Sequence, residues 1–233
     1  MLAFHNDPAV REQYLNRVAA HASADELLQG YGYWRGGKGC AVGCTIHGST
    51  HKSYETELGI PEEIAYLEDW LFERLPAEKA KEWPARVLTS IASGSDLTDI
   101  YDLWSAWNLI DPKNGVITLV ADAFPDVQRV VRETGEACLR HERINAAWAA
   151  EAAWAAEAAE AAGAAWAARA AWAAEAAGAA WAAWAARAAW AAWAARAAEA
   201  AGAAWAAYYL RASDKLIELL ESAPLHGYFM RAV

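Results

Sequence analysis

The segment from residue 146 to about residue 207 repeats the tripeptide X-Ala-Ala, in which X is Trp, Glu, Arg or Gly. Alanine has the highest helix propensity of all residues and the segment contains no proline, so we predict that this array is α-helical. Three residues turn an α-helix about 60° short of a full circle, so the X positions return to the same angle after about 18 residues. The three-residue repeat is therefore compatible with an amphipathic α-helix, in which the X residues form separate polar and aromatic faces.

Seven of the nine tryptophans in the array fall on about a third of the circumference of the predicted helix. They are Trp148, Trp154, Trp166, Trp172, Trp184, Trp190 and Trp205. A buried tryptophan covers roughly 150–250 Å², so this stripe is too large to stay exposed on a monomer. The preceding domain, the array folded back at its glycines, or a second copy of the chain would cover it. We therefore expect a homo-oligomer, and the alternative function is a non-enzymatic scaffold or interaction protein.

The residues before the array show mainly helical signals. Asp7 and Pro8 have the N-cap and first-turn pattern of a helix, and Ser23 followed by Glu26 has the spacing of a capping box. The stretch GIPEEIAYLEDWLFERLP places isoleucine and leucine at helical spacing between two prolines. These patterns predict an all-α fold.

The change in composition near residue 145 predicts the domain organisation. A helical domain spans residues 1–144, and the array with a terminal amphipathic helix spans residues 145–222. Leucine and isoleucine lie near one face of that terminal helix, which predicts that it packs against other helices. Residues 223–233 form a tail.

The chain is acidic, with a formal net charge of -10 at pH 7. It lacks a basic signature for nucleic acid or anionic lipid, so we expect neither nucleic acid nor a membrane as partner. Arg187 interrupts the most apolar part of the array, which makes a transmembrane helix unfavourable. The first residues have no signal-peptide pattern, and three cysteines are too few for a disulfide scaffold, so we predict a cytoplasmic location.

The densest group of chemically functional residues is the stretch GYGYWRGGKGCAVGCTIHGSTHKSYETE, residues 30–57. Glycine-rich loops recur at ligand sites because their backbone N–H groups need partners. Arg35 and Lys38 lie beside such amides, which predicts a site for a phosphate or carboxylate. The spacing of the glycines and the lysine is not that of a Walker A loop. The predicted ligand-binding residues are Arg35, Gly37, Lys38, Gly39 and Gly48.

Four residues of this stretch admit two kinds of chemistry. They are Cys40, Cys44, His47 and His51. Their separations of four, three and four residues would put them on one face of a helix, and they form a zinc-ligand set, so zinc is one predicted cofactor. Alternatively, one cysteine is a nucleophile, one histidine is its base and Glu55 orients that base, with nearby positive charge favouring the thiolate. A third interpretation is that the cysteines pack in the core while the histidines hydrogen-bond locally.

The segments GKGCAVGCTIHG, HKSYETELGIP and AYLEDWLFE, followed by the array, resemble a family of uncharacterised bacterial and phage proteins with the same Ala-Ala-X tails. The resemblance implies that Cys40, Cys44, His47 and Gly48 belong to a family motif. It also implies a phage or mobile-element role, such as counter-defence by binding a nucleotide signal or a host protein. We predict a small-ligand site in the Gly/Cys/His segment that binds or acts on an anionic, nucleotide-like ligand.

Overall fold

The computed structural model describes residues 1–119, 125–141 and 201–225. Most of these residues are helical, so the helical prediction is confirmed for this part of the chain. The α-helices are α1 (Pro8–Ser23), α2 (Ala41–Ile46), α3 (Glu62–Phe72), α4 (Ala77–Ser90), α5 (Ile100–Ile110), α6 (Pro125–Leu139) and α7 (Ala201–Glu221). The shorter elements are 3-10 turns at Ala3–Asn6 and Val116–Leu119, a π-helical turn at Tyr54–Leu58, and strands β1 (Trp34–Arg35) and β2 (Lys38–Gly39).

Local sequence signals explain where the first long helices begin. The Asp7 carboxylate accepts a hydrogen bond from the backbone N of Ala9 at 2.8 Å, and Pro8 occupies the first turn of α1. α3 begins directly after Pro61 and buries the isoleucine and leucines of its predicted apolar face. The capping-box prediction at Ser23 is wrong, because α1 extends to that residue and ends there.

The described residues fall into two compact units. The first contains residues 1–101 together with the described chain from residue 206 onward. The second contains the described residues between 102 and 205, which are 102–119, 125–141 and 201–205. The candidate site described below lies entirely in the first unit.

In the first unit, α7 packs against α3 and α4. The ring of Tyr209 meets the ring of Trp70 edge-on, with centroids 5.4 Å apart, and Arg86 pairs with Asp214 at 2.8 Å. Leu216 is fully buried, as the apolar face of the terminal helix predicts. This helix therefore belongs to the same core as the N-terminal helices.

In the second unit, α6 packs against the end of α5. A Cβ added at Gly135 would press against the side chain of Ile110, so the glycine permits close approach of the two helices. Val127, Val130 and Val131 are buried on the same helix. The ring of His141 lies 3.0 Å from the Asp102 carboxylate.

Residues 142–200, which contain most of the Ala-Ala-X array, lie outside the described residues. The array helix, its tryptophan stripe, the domain boundary near residue 145 and the homo-oligomer therefore stay predictions. None of the described helices combines the length and the apolar content that crossing a bilayer requires.

Candidate functional site

A β-hairpin positions the aromatic and cationic residues of the glycine-rich stretch. β1 pairs antiparallel with β2, with Trp34 opposite Gly39 and Arg35 opposite Lys38. Gly36 and Gly37 form the turn between the strands. Their φ values of 60° and 83° are the left-handed conformation that a two-residue type I′ turn requires. Because side chains alternate between the faces of a hairpin, Trp34 lies on one face and the two cations lie on the other.

Two glycines let this hairpin approach α2 closely. A Cβ added at Gly39 or Gly43 would overlap the carbonyl oxygen of Tyr33. The backbone N of Cys40 donates to the same carbonyl at 3.2 Å. All six residues of α2 are buried, so the hairpin rests on a short helix that is enclosed by the core.

His47 follows α2 and turns its imidazole onto the hairpin. Its φ and ψ of 53° and 42° are left-handed, which is uncommon for a residue with a Cβ. The imidazole stacks on the Trp34 indole, with ring centroids 4.4 Å apart and an interplanar angle of 13°. His47 is exposed and Trp34 is half-buried, so the stacked pair lies at the surface.

A hydrogen-bonded chain joins His47 to a carboxylate. Nε2 of His47 lies 2.7 Å from Nε2 of His21, and Nδ1 of His21 lies 2.6 Å from Oε2 of Glu26. An ionised carboxylate only accepts hydrogen bonds, so Nδ1 of His21 is the donor to Glu26. The end of α1, the loop after it and the end of α2 each contribute one member of this chain. We call His21 and His47 the histidine pair.

Charged residues from neighbouring elements act on His47. Nη1 of Arg17 donates to the carbonyl oxygen of Thr45 at 2.7 Å, which holds the guanidinium beside the end of α2. Partial burial lowers the pKa of His47, and the positive charges of Arg17 and His21 lower it further, against the opposite effect of Glu57. These surroundings favour the neutral imidazole at His47.

His51 occupies a separate aromatic enclosure. Its ring stacks on Tyr66 with centroids 3.9 Å apart and meets the Tyr33 ring edge-on at 5.2 Å. Its Nε2 lies 3.6 Å from Oδ2 of Asp69. His51 is 5% exposed, whereas His47 lies at the surface, so the two histidines face different partners although they are four residues apart.

Both cysteines of the predicted site are buried. Sγ of Cys40 accepts a hydrogen bond from the backbone N of Gly43 at 3.4 Å, and Sγ of Cys44 donates to the carbonyl oxygen of Gly39 at 3.5 Å. Burial raises the pKa of Cys44 to about 12. Burial also raises the pKa of Cys40, and the Asp69 carboxylate adds to this effect. The nucleophile hypothesis expects a lowered pKa, whereas these surroundings favour the protonated thiol.

Glu55 and the predicted anion-binding residues make contacts of their own. Glu55 pairs with Lys52, and the guanidinium of Arg35 lies over the ring of Tyr31 at 5.0 Å. The backbone N of Gly39 donates to a carbonyl oxygen of the loop after α1 at 3.1 Å. Of the remaining predicted residues, Gly37 lies in the hairpin turn, Lys38 lies on β2, and Gly48 follows α2.

The structure does not bring the four predicted zinc ligands together. Cys40 and Cys44 contact backbone groups, His47 contacts the hairpin, and His51 is enclosed by aromatic rings. Within the described ranges, no group of three or more His, Cys, Asp or Glu side chains is placed to hold a metal ion. The helical spacing that suggested this set is interrupted, because α2 ends at Ile46 and the next residue is left-handed.

The sequence prediction missed three members of the surface site, His21, Glu26 and Trp34. Glu26 has capping-box spacing, and its carboxylate instead binds an imidazole from the preceding helix. The Gly-Gly pair between Arg35 and Lys38 is a signal for a two-residue hairpin, and it would have placed Trp34 on a strand. No comparable local signal marks the pairing of the two histidines.

No protein-family model, curated protein or solved structure matches the chain. The described residues themselves define a mainly helical protein with a surface histidine pair, which a carboxylate and an aromatic hairpin hold in place.

Proposed function

We propose that the surface formed by the histidine pair and Trp34 binds a small anionic ligand that carries a flat ring, such as a nucleotide. The observation that supports this most directly is the 2.7 Å contact between the Nε2 atoms of His21 and His47. Two imidazole nitrogens in contact share one proton, since one must donate and the other accept. An anion that accepts a hydrogen bond from each ring would bind together with a second proton.

A positive charge near the pair favours an anion over a neutral ligand. The guanidinium of Arg17 lies beside the end of α2 and acts on the charge of His47. Arg35 and Lys38 lie on the hairpin face opposite Trp34 and are not part of this surface. In a chain with a net charge of -10, Arg17 is a local attraction for an anion.

Aromatic rings of this surface favour a ligand with a planar group. The indole of Trp34 is half-buried and the imidazole of His47, stacked on it, is exposed. Aromatic rings and guanidinium planes are the surfaces on which nucleobases stack. A nucleotide therefore fits this surface better than a bare carboxylate does.

A titration of full-length, metal-free protein with inorganic phosphate, adenosine 5′-monophosphate and adenosine tests the proposal. The imidazole resonances of His21 and His47 are followed by NMR. We expect the monophosphate to shift both sets of resonances and to bind about tenfold more tightly than adenosine, because only the monophosphate carries the anion. Affinity should rise as the pH falls from about 8 to about 6, since binding takes up a proton.

A matched pair of variants controls for effects on the fold. His47→Asn removes one imidazole, and asparagine tolerates the left-handed backbone at this position. We expect this variant to weaken binding of the monophosphate at least about tenfold, whereas His141→Asn, at an exposed histidine of the second unit, leaves it unchanged. Resonances of His21 and His47 that do not move at saturating phosphate and monophosphate would show that the proposal is wrong. A counter-defence role through a nucleotide signal, which the family resemblance implies, would build on such binding.

A further inference from the structure

We propose that the histidine pair also binds a divalent transition-metal ion such as Zn²⁺, through Nε2 of His21 and Nε2 of His47. The anionic ligand would complete the coordination, and this second part rests on the proposed function. The ligands differ from the Cys40, Cys44, His47 and His51 set that the sequence predicts, because only His47 is common to both.

The two nitrogen atoms lie close to the separation that one metal ion requires. Two imidazole nitrogens at about 2.0–2.1 Å from a tetrahedral zinc ion are about 3.3 Å apart. In the structure the two Nε2 atoms are 2.7 Å apart. The difference of about 0.6 Å needs only a small rotation of one ring, and His47 is an exposed residue at the end of a helix.

Glu26 supplies the second contact that metal-binding histidines have. An imidazole that binds a metal usually donates its other N–H to a carboxylate or carbonyl, which fixes its tautomer and orientation. Nδ1 of His21 makes this contact with Oε2 of Glu26 at 2.6 Å, so the Nε2 atom keeps its lone pair for a metal. Stacking on Trp34 orients the second imidazole, and the proton on its Nε2 moves to Nδ1 or to solvent when that nitrogen binds the metal.

The protein supplies two ligands to the proposed metal ion and leaves its other coordination positions open. No third His, Cys, Asp or Glu joins the pair as a metal cluster among the residues that the structure describes, so water or an anion would fill the other positions. Imidazole ligands suit Zn²⁺, Ni²⁺ and Cu²⁺, whereas Mg²⁺ and Ca²⁺ prefer oxygen. We therefore expect a transition-metal ion, bound less tightly than in a closed four-ligand site.

Two measurements on the full chain in phosphate-free buffer test the metal site. Calorimetric titration with Zn²⁺ should show about one equivalent bound. Electron paramagnetic resonance of the Cu²⁺-loaded wild-type protein should show coordination by two imidazole nitrogens, and this readout needs no variant. A wild-type protein that binds no Zn²⁺, or whose Cu²⁺ spectrum shows no imidazole nitrogen, would overturn the inference.

Variants then assign the ligands. His21→Gln and His47→Asn should each weaken Zn²⁺ binding at least about tenfold, and Glu26→Gln should weaken it about 10–100-fold by releasing the His21 ring. His141→Asn is the matched control and should leave the affinity unchanged, as should Cys40→Ser and Cys44→Ser. Loss of zinc binding in the cysteine variants, with retention in His21→Gln, would overturn our assignment in favour of the ligand set predicted from the sequence.

The two proposals fail separately. Zinc binding is measured without any anion, and binding of the monophosphate is measured on metal-free protein. If both occur, zinc should increase the affinity for the monophosphate about tenfold or more, because the anion gains a metal–oxygen bond. An affinity that zinc leaves unchanged would overturn the assignment of the anion to the histidine pair, because zinc on the two Nε2 atoms must either bind the anion or displace it.

Discussion

The indole of Trp34 lies almost parallel to the imidazole of His47, with ring centroids 4.4 Å apart and an interplanar angle of 13°. Trp34 also meets the ring of His21 edge-on, with centroids 5.3 Å apart. One tryptophan on a two-residue strand therefore contacts both members of the histidine pair. The hairpin and the ends of α1 and α2 are joined at this point.

Replacing Trp34 with leucine should loosen the histidine pair. The stacking contributes about 1 kcal/mol beyond the buried area, so we expect the free energy of unfolding to fall by at least that amount. The imidazole protons of His47 should lose their ring-current shift in the NMR spectrum, and Trp34→Phe should retain part of it. His51 stacks on Tyr66, so its resonances serve as the internal control. Unchanged His47 resonances in Trp34→Leu would contradict the stacked geometry.

The long helices could be predicted because their signals are local. Asp7 and Pro8 lie directly before α1 and at its first position, and the apolar residues of α3 repeat at helical spacing. Each of these signals spans fewer than about 20 residues, which is the range over which capping and periodicity act. α1 and α3 accordingly begin where the sequence places them, whereas no described helix begins at Ser23.

The site could be predicted only in part, because its geometry depends on contacts between distant residues. His21 and His47 are 26 residues apart, and no pattern within either helix indicates that their rings meet. The spacing of Cys40, Cys44, His47 and His51 indicates a shared face only while the helix continues. The left-handed residue after Ile46 ends that helix and rotates the later histidine into a different environment.

Gly43→Ala should be strongly destabilising. The added Cβ would overlap the carbonyl oxygen of Tyr33, a backbone atom that cannot move without shifting the hairpin. We expect a loss of about 3 kcal/mol or more, measured by urea-induced unfolding. Gly48→Ala is the matched control, because its Cβ would meet the Ile46 side chain at 3.5 Å, an ordinary contact, and should change stability by less than about 0.5 kcal/mol. Equal stability of the two variants would contradict the close packing of the hairpin on α2.

The three cysteines should be unreactive in the native protein. Cys40, Cys44 and Cys138 are buried free thiols, and burial raises the pKa of both Cys44 and Cys138 to about 12. Only the thiolate reacts with a disulfide reagent, so we expect native thiols to react at least about 100-fold more slowly than the same thiols in guanidinium chloride. Labelling followed by peptide mass spectrometry identifies each residue. A fast reaction at Cys40 in the folded protein would contradict this prediction and favour the nucleophile hypothesis.

Glu68 should make the stability of the protein depend on pH. Its side chain is fully buried, with Oε2 accepting a hydrogen bond from Tyr54 Oη at 2.8 Å, and burial raises its pKa from 4.5 to about 8. Between these two values the folded protein keeps the proton and the unfolded chain loses it, so a rise in pH favours unfolding. The stability that the protonated Glu68 carboxyl contributes is fully present below about pH 4.5 and is lost as the pH rises to about 8. Glu68→Gln cannot ionise, so it should gain stability relative to the wild type as the pH rises from about 5 to about 8, by an amount that reaches about 4–5 kcal/mol near pH 8.

Urea-induced unfolding of both proteins at several pH values measures this difference. Glu218→Gln, at an exposed position on α7, is the control and should follow the wild type across the range. Because the two carboxyl groups differ in burial, a pH dependence that disappears in Glu68→Gln alone identifies the buried group as its source. A difference between wild type and Glu68→Gln that stays constant with pH would mean that Glu68 ionises in the folded protein as it does in the unfolded chain.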